Sequence, residues 1–324
     1  MDEINSLPAD THIGSVQLKV SDLRESLSFY TNVLGFQGIP PEQLAGFESE
    51  ERSFKTYLSA NGNLPALIVL AQQPGAIPMP RNTTGLYHVA IRVPDQAALG
   101  TEFERVRQNG WRFQGAADHQ VSEALPLTDP DGNGLEIYTD RAREDWPRSG
   151  NQIVMATDPL DVYSLMRAAS LKGASYAGIH PETVIGHVHL QVADLSRSED
   201  FYHGLLGFDV TQRSYPGALF VSAGGYHHHI GLNVWAGEGA PPPPPNAVGL
   251  KSYTIVIPDG VAWQSVLERL QNAGVPVEGL HSEHGFIKAL VKDPSQNGIE
   301  LAVATGLLPE EVLKKLEEGI EHSE

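Results

Sequence analysis

The chain of 324 residues contains no cysteine. This excludes disulfides, thiolate nucleophiles, zinc fingers and cysteine-ligated iron–sulfur clusters together, so any bound metal has to be held by His, Asp or Glu. Basic charge is scarce as well: 22 Lys and Arg stand against 40 Asp and Glu, a formal net charge of −18. A field of that sign opposes phosphate backbones and anionic lipid surfaces, so neither nucleic acid nor membrane is expected as a partner. Apolar runs such as Ala66–Ala71 fall far short of the roughly 20 residues needed to span a bilayer. The opening MDEINSLPADTHIG has no basic stretch leading into an apolar one, so the expectation is a cytoplasmic protein without a secretory leader.

With 41% hydrophobic and 19% charged residues, the composition is that of a packed globular protein. Its organisation is set by an internal repeat. Ile13–Phe36 (IGSVQLKVSDLRESLSFYTNVLGF) returns without a gap as Ile185–Phe208 (IGHVHLQVADLSRSEDFYHGLLGF), 172 positions on. GLYHVAIRVPD from Gly85 returns as GLKSYTIVIPD from Gly249, and the same offset of 164 maps Gly110 onto Gly274, Asp129-Pro130 onto Asp293-Pro294 and Glu136 onto Glu300. The chain is two tandem halves, each of two units. In the first unit Val16, Leu18 and Val20 alternate with polar residues as in a half-buried strand, Asp22 stands where an N-cap belongs, and Leu23, Leu27 and Tyr30 follow at helical spacing up to Gly35. Each unit reads βαβββ.

A unit of about 55 residues cannot bury its own sheet, so units should pair around clefts. The expected class is α+β, with four βαβββ modules forming two curved eight-stranded sheets. The expected division is a first domain at 1–140 (modules 13–71 and 85–140), a linker at 141–182 with a short helix at Leu160–Ala169, a second domain at 183–305 (modules 184–236 and 249–304), and an acidic C-terminal helix or tail at 306–324, helical over Pro309–Glu318. Pro241–Pro245 reads as a stiff extended loop.

The placement of histidines on strands suggests chemistry. His187 and His189 share one face of the third unit's first strand, because their spacing is two. His227, His228 and His229 open that unit's last strand; Ile230, Leu232 and Val234 take its apolar face, which assigns His227, His229 and Asn233 to the other. His88 lies on the second unit's first strand and Glu136 on its last. A lone strand histidine is usually a hydrogen-bonded core residue, but several imidazoles and a carboxylate at matching positions suit a nitrogen-and-oxygen metal site.

The strings HVHLQVADLSRSEDFYHGLLGF and LTDPDGNGLEIY resemble the vicinal oxygen chelate superfamily, which includes glyoxalase I, fosfomycin- and bleomycin-resistance proteins and extradiol dioxygenases. The resemblance covers all four units. GYHHHIGLN and the run HQVSEALPLTDPDGNGLE from His119 are most similar to the bacterial catechol 2,3-dioxygenase group. That group implies two His and one Glu holding Fe(II), with ligands on the first and last strands of paired units. The first-strand slots here hold Ser15, His88, His187 and Ser252, and the last-strand acid slots Glu136 and Glu300.

Sequential pairing of units would offer His187, His229 and Glu300, with Ser252 where a second His is kept. Pairing of the second unit with the third would collect His88, His187 and Glu136 in one cleft and leave Ser15, Ser252 and Glu300 in the other. The second arrangement is favoured, because it also sets His229 or His228 where the family keeps an acid–base His, and His119 near the rim. His189, His227 and Asn233 would line the substrate pocket.

The resemblance implies a small aromatic diol and O2 as substrates, and association into homo-oligomers. Mn(II) would suit the same ligands as Fe(II). In one respect the sequence departs from the family, since Leu125-Pro126-Leu127 replaces a Tyr that many members carry. Two rival readings are a glyoxalase-like lyase or isomerase with Ni(II) or Zn(II) and a fourth ligand such as His229, and a metal-free protein that binds an aromatic drug.

Overall fold

The computed structural model describes residues 6–44, 54–173 and 177–311. Each unit contributes four strands. The first holds β1 (His12–Val20), β2 (Gln37–Gly38), β3 (Lys55–Ser59) and β4 (Ile68–Gln72), and the second β5 (Gly85–Arg92), β6 (Ala117–Asp118), β7 (Ser122–Thr128) and β8 (Gly134–Asp140). Between the halves come β9 (Arg148–Ser149), β10 (Gln152–Ile153) and β11 (Asp158–Pro159). The third unit holds β12 (Val184–Gln191), β13 (Asp209–Gln212), β14 (Ala218–Ser222) and β15 (Ile230–Asn233). The fourth holds β16 (Gly249–Val256), β17 (Gly279–Glu283), β18 (Phe286–Lys292) and β19 (Gly298–Ala304).

The same punctuation follows every first strand. Asp22, Asp95, Asp194 and Asp259 each leave the strand with extended backbone and accept a hydrogen bond from a main-chain N–H in the first turn of the next helix. A cap of this kind contributes about 1 kcal/mol. The helices are α1 (Leu23–Ser28), α2 (Gln96–Gln108), α3 (Val162–Lys172), α4 (Leu195–Glu199) and α5 (Gly260–Asn272). α1 and α4 run on as π-turns over Phe29–Val33 and Asp200–Leu206, so that Leu34 N–H reaches back five residues to Phe29 O. These wider turns bury Tyr30 and Tyr202, whose hydroxyls donate to Asp129 (3.2 Å) and Asp293 (3.0 Å) in the turn before the neighbouring unit's last strand. The two units of each half are latched in the same way.

Among the described residues the strands form two large sheets. One has nine strands in the order β11-β6-β7-β8-β5-β12-β15-β14-β13; the other has eight, β17-β18-β19-β16-β1-β4-β3-β2. The second unit therefore joins the third along the antiparallel pair β5–β12, and the first joins the fourth along β1–β16. Within each unit the first strand runs parallel to the last. The expected α+β class with paired βαβββ modules is what forms, and the halves of the repeat are not the limits of the sheets. The ninth strand, β11, comes from the linker and pairs with β6.

The linker helix starts later than its apolar pattern suggests, because Asp161 caps it, and it ends at Gly173 in left-handed geometry. It lies on α2 so closely that a Cβ on Gly100 would come within 2.2 Å of Leu165 O. Of the expected C-terminal helix, Glu310 and Glu311 are helical and residues 312–324 lie outside the described residues. No described helix is long and apolar enough to cross a membrane.

Candidate metal centre

Three neighbouring strands of the nine-stranded sheet build the site. Ala90 on β5 pairs with Glu136 on β8 and with His187 on β12, while His88, two residues earlier, pairs with His189. Residues paired in this way share a face. Because Ala90 is small, the longer side chains around it converge above it. His88 Nε2 and His187 Nε2 are 3.3 Å apart, and His187 Nε2 lies 3.5 Å from Glu136 Oε1. The ligand atoms of His88, Glu136 and His187 all lie within 4.8 Å of one another.

Burial drives His187 well below the usual histidine range, and the surrounding imidazoles lower it further. Burial also lowers His88, despite the opposing charge of Glu136. Glu136 itself would be raised by burial, but the imidazoles of His88 and His119 hold it below the usual carboxylate range. The result is two neutral imidazoles and one carboxylate whose nitrogen and oxygen atoms face each other. Donors in adjacent positions around a metal, with bonds of about 2.1 Å, stand about 3 Å apart, close to the spacing found. The set carries one negative charge and fits a divalent cation bound by nitrogen and oxygen.

Residues 12–137 and 184–301 match the family model of the Glyoxalase/Bleomycin resistance protein/Dioxygenase superfamily. The chain belongs to this superfamily. It is 43% identical over 296 residues to catechol-2,3-dioxygenase of Bacillus subtilis (strain 168), covering 90% of this chain and 96% of that protein. Solved structures share the fold. Glyoxalase I from Zea mays superposes with a TM-score of 0.53 at 17% identity, over 95% of this chain and 96% of its own. A Bacillus subtilis protein described as a candidate dioxygenase superposes with a TM-score of 0.60 at 13% identity, over 92% and 86%.

Around the triad of this glyoxalase–dioxygenase fold, the other sequence candidates separate. His119 donates from Nδ1 to Ala156 O at 2.7 Å and brings Nε2 to 3.6 Å from Glu136 Oε2. Burial opposes its protonation, but the hydrogen bond and charge of Glu136 outweigh that and raise its pKa. The histidine triplet does not follow the alternation read back from β15. That strand begins only at Ile230, and bends at His227 and His229 rotate His228 toward the ligands instead. The His228 ring centroid lies 4.1 Å from that of His187. His229 is turned away: its Nδ1 accepts from Ala223 N–H and faces Ser222 Oγ, and burial brings its pKa down to about 3. His227 is committed to Asp140, 2.9 Å from Nε2. His189 and Asn233 are buried, and among the described residues His189 Nε2 and Asn233 Nδ2 have no hydrogen-bond partner. Tyr87, Trp235 and Phe220 pack around His189.

Sequence reasoning missed Tyr138, Asp140, Arg92 and Tyr226, which continue the site. Glu136, Tyr138 and Asp140 alternate along β8 and so share its face, a signal present in GLEIYTD. Tyr138 fits only because residue 186 is glycine, where a Cβ would stand 1.7 Å from the Tyr138 hydroxyl.

Glu300 lies in the other sheet, so the set His187, His229 and Glu300 is not brought together. In that second cleft Glu300 accepts from Ser252 and Thr254, each at 3.1 Å, and Ser15 bonds Thr254. Glu283 and His281 approach it to form a second acidic cluster. The Lys288 ammonium is 3.1 Å from Glu300 Oε2 and also bonds Glu283. A lysine thus supplies the positive charge in this cleft.

Proposed function

We propose that the chain is an extradiol ring-cleaving dioxygenase that opens catechol or a substituted catechol with O2, with His88, His187 and Glu136 holding Fe(II). The observation that carries this reading is the convergence of two neutral imidazoles and one carboxylate on a buried point, in a chain 43% identical to a catechol-2,3-dioxygenase. Mn(II) suits the same donors. When bound, the metal supplies Lewis acidity that eases loss of a phenolic proton and a redox path between diol and O2.

The chain's own residues perform the remaining work. His88, His187 and Glu136 would hold the metal from one side only, so a diol and O2 would be brought together at one place and a three-body encounter would become a local one. Tyr87 and Trp235 form an aromatic wall beside the ligands that orients a flat ring. His228, packed on His187, is the group suited to take the phenolic proton and return it at ring opening. His119 steadies Glu136 at the rim, and His189 and Asn233 offer a substituent polar atoms that have no partner among the described residues. A lyase with four protein ligands is less well supported, because His229 faces away from the cluster. A metal-free drug binder would leave the convergence of His88, His187 and Glu136 without a task.

The test is O2 consumption with catechol after anaerobic loading with Fe(II) and removal of excess metal. One O2 consumed per catechol, with a yellow ring-opened product, is expected. One tightly held iron per chain without O2 uptake would refute the activity.

A further inference from the structure

The residues behind the triad form a directional chain of hydrogen bonds. At its root is Asp140, whose ionised carboxylate can only accept. It receives Arg92 Nη1 at 3.2 Å, the Tyr226 hydroxyl at 2.9 and 3.0 Å, and His227 Nε2 at 2.9 Å. Tyr226 has one proton and gives it to Asp140, so the contact of 2.7 Å between the two tyrosines has Tyr138 donating to Tyr226. The same logic runs along the other branch. His227 uses its N–H at Nε2, so in the neutral ring Nδ1 carries a lone pair. His227 Nδ1 lies 2.9 Å from His228 Nδ1, and that contact is a hydrogen bond only if His228 donates. A neutral His228 protonated at Nδ1 has a bare Nε2, and among the described residues no hydrogen bond engages that atom.

We propose that Asp140, acting through His227, fixes His228 as the Nδ1–H tautomer, so that the ring packed at a tilt against His187 presents Nε2 as the proton acceptor. Asp140 and His227 are positioning residues and His228 the catalytic one; this assignment rests on the dioxygenase reading of the site. The geometry separates the three consecutive histidines by task. His227 relays, His228 accepts, and His229 is held by Ala223 N–H outside the path.

Asp140→Asn reverses the chain. Arg92 retains the amide oxygen, the NH2 group meets His227 Nε2, and the proton of His227 moves to Nδ1. His228 must then accept at Nδ1 and carry its proton at Nε2.

The test is nitrogen-15 NMR of imidazole-labelled protein, metal-free and with Zn(II) as a diamagnetic probe, for the natural chain, Asp140→Asn and Asp140→Glu. The natural chain is expected to show His227 protonated at Nε2 and His228 at Nδ1. Asp140→Asn should move the His228 proton to Nε2, and Asp140→Glu should keep the natural pattern. In iron-loaded protein, Asp140→Asn should retain its metal and a KM for catechol within about threefold, while kcat falls by about 100-fold, the lower end of what a positioned general base contributes. If His228 is already protonated at Nε2 in the natural chain, or does not respond to Asp140→Asn, the assignment is overturned whatever the activity. If the proton moves and kcat does not, the acceptor role is overturned. A natural iron-loaded protein that leaves catechol intact refutes the dioxygenase reading, while the spectrum still decides the tautomer.

Discussion

Replacing Lys288 by Met tests whether an ammonium stands in for a metal in the second cleft. Lys288 Nζ lies 3.1 Å from Glu300 Oε2, with side-chain exposures of 12% and 15%. At an effective dielectric constant of about 20, two unit charges at that distance attract by about 5 kcal/mol. The desolvation of both groups offsets part of this, but removing one partner leaves the other charged and buried, at a cost of about 3–5 kcal/mol. Ser252 and Thr254 still donate to Glu300, which places the expected loss near the lower end, at about 3 kcal/mol.

Burial alone would raise Glu300, but Lys288 overcomes it and lowers the pKa. A carboxyl whose folded pKa lies below its unfolded one stabilises the fold above the unfolded value, and that contribution disappears as pH falls through the folded value. The gap between natural chain and variant should therefore be full at pH 7 and narrow below about pH 4. Urea unfolding, followed by the fluorescence of the four tryptophans, one of which is the buried Trp263 of the fourth unit, measures it. Adding Glu300→Gln to Lys288→Met should recover about 2 kcal/mol, because the orphaned charge is gone. A loss below about 0.5 kcal/mol at pH 7, or a double variant no more stable than the single one, would refute the stand-in role.

Removing either imidazole of the triad is expected to cost at least about 100-fold in metal affinity, so His88→Ala should come through gel filtration without iron, as measured by elemental analysis. Glu102 is buried beside Arg105, which only partly offsets desolvation, and its pKa is pushed up to about 8. Its folded form holds a proton that the unfolded chain releases near 4.5, so stability is full below that value, falls as pH rises and levels off above about 8; Glu102→Gln should flatten this decline, on the order of a few kcal/mol, in melting curves across that range. Gly186→Ala should destabilise by more than about 2 kcal/mol, because no rotamer change of a methyl group relieves a contact of 1.7 Å, and Tyr138→Leu in the same chain should recover part of the loss in thermal melts.

Much of the fold is legible because it is repeated. The gapless offset between Ile13–Phe36 and Ile185–Phe208 marks equivalent strands, and the Asp after each first strand marks a helix start. His88, His187 and Glu136 are singled out by strand position, and the step from position to cluster depends on which units pair. That pairing is a contact between strands about 100 residues apart and leaves no local periodicity. The π-turns after Ser28 and Glu199 are silent for a related reason, since one extra residue per turn barely disturbs an apolar spacing over so few residues. Lys288 is hidden differently. Within FIKALVK it alternates like any solvent-facing residue, and only the register that sets it opposite Ala302, two positions from Glu300, reveals its partner. The bond of Asp140 to His227 joins residues 87 apart and depends on the bend before β15.

The interleaved pairing of units bears on how such a chain divides and diverges. Cut within the linker, the protein yields two fragments, neither of which owns a whole sheet, so each can complete its hydrogen bonding only by intertwining with a companion. Two copies of the first fragment would set Ser15 opposite His88 and Glu136; two copies of the second would set Ser252 and Glu300 opposite His187. Either homodimer lacks one imidazole. Only the mixed assembly brings His88, His187 and Glu136 together, and the same mixture creates the cleft that holds Lys288. The joining of two unlike halves thus gives the molecule two unlike clefts, one gathering His88, His187 and Glu136 and the other pairing Glu300 with Lys288.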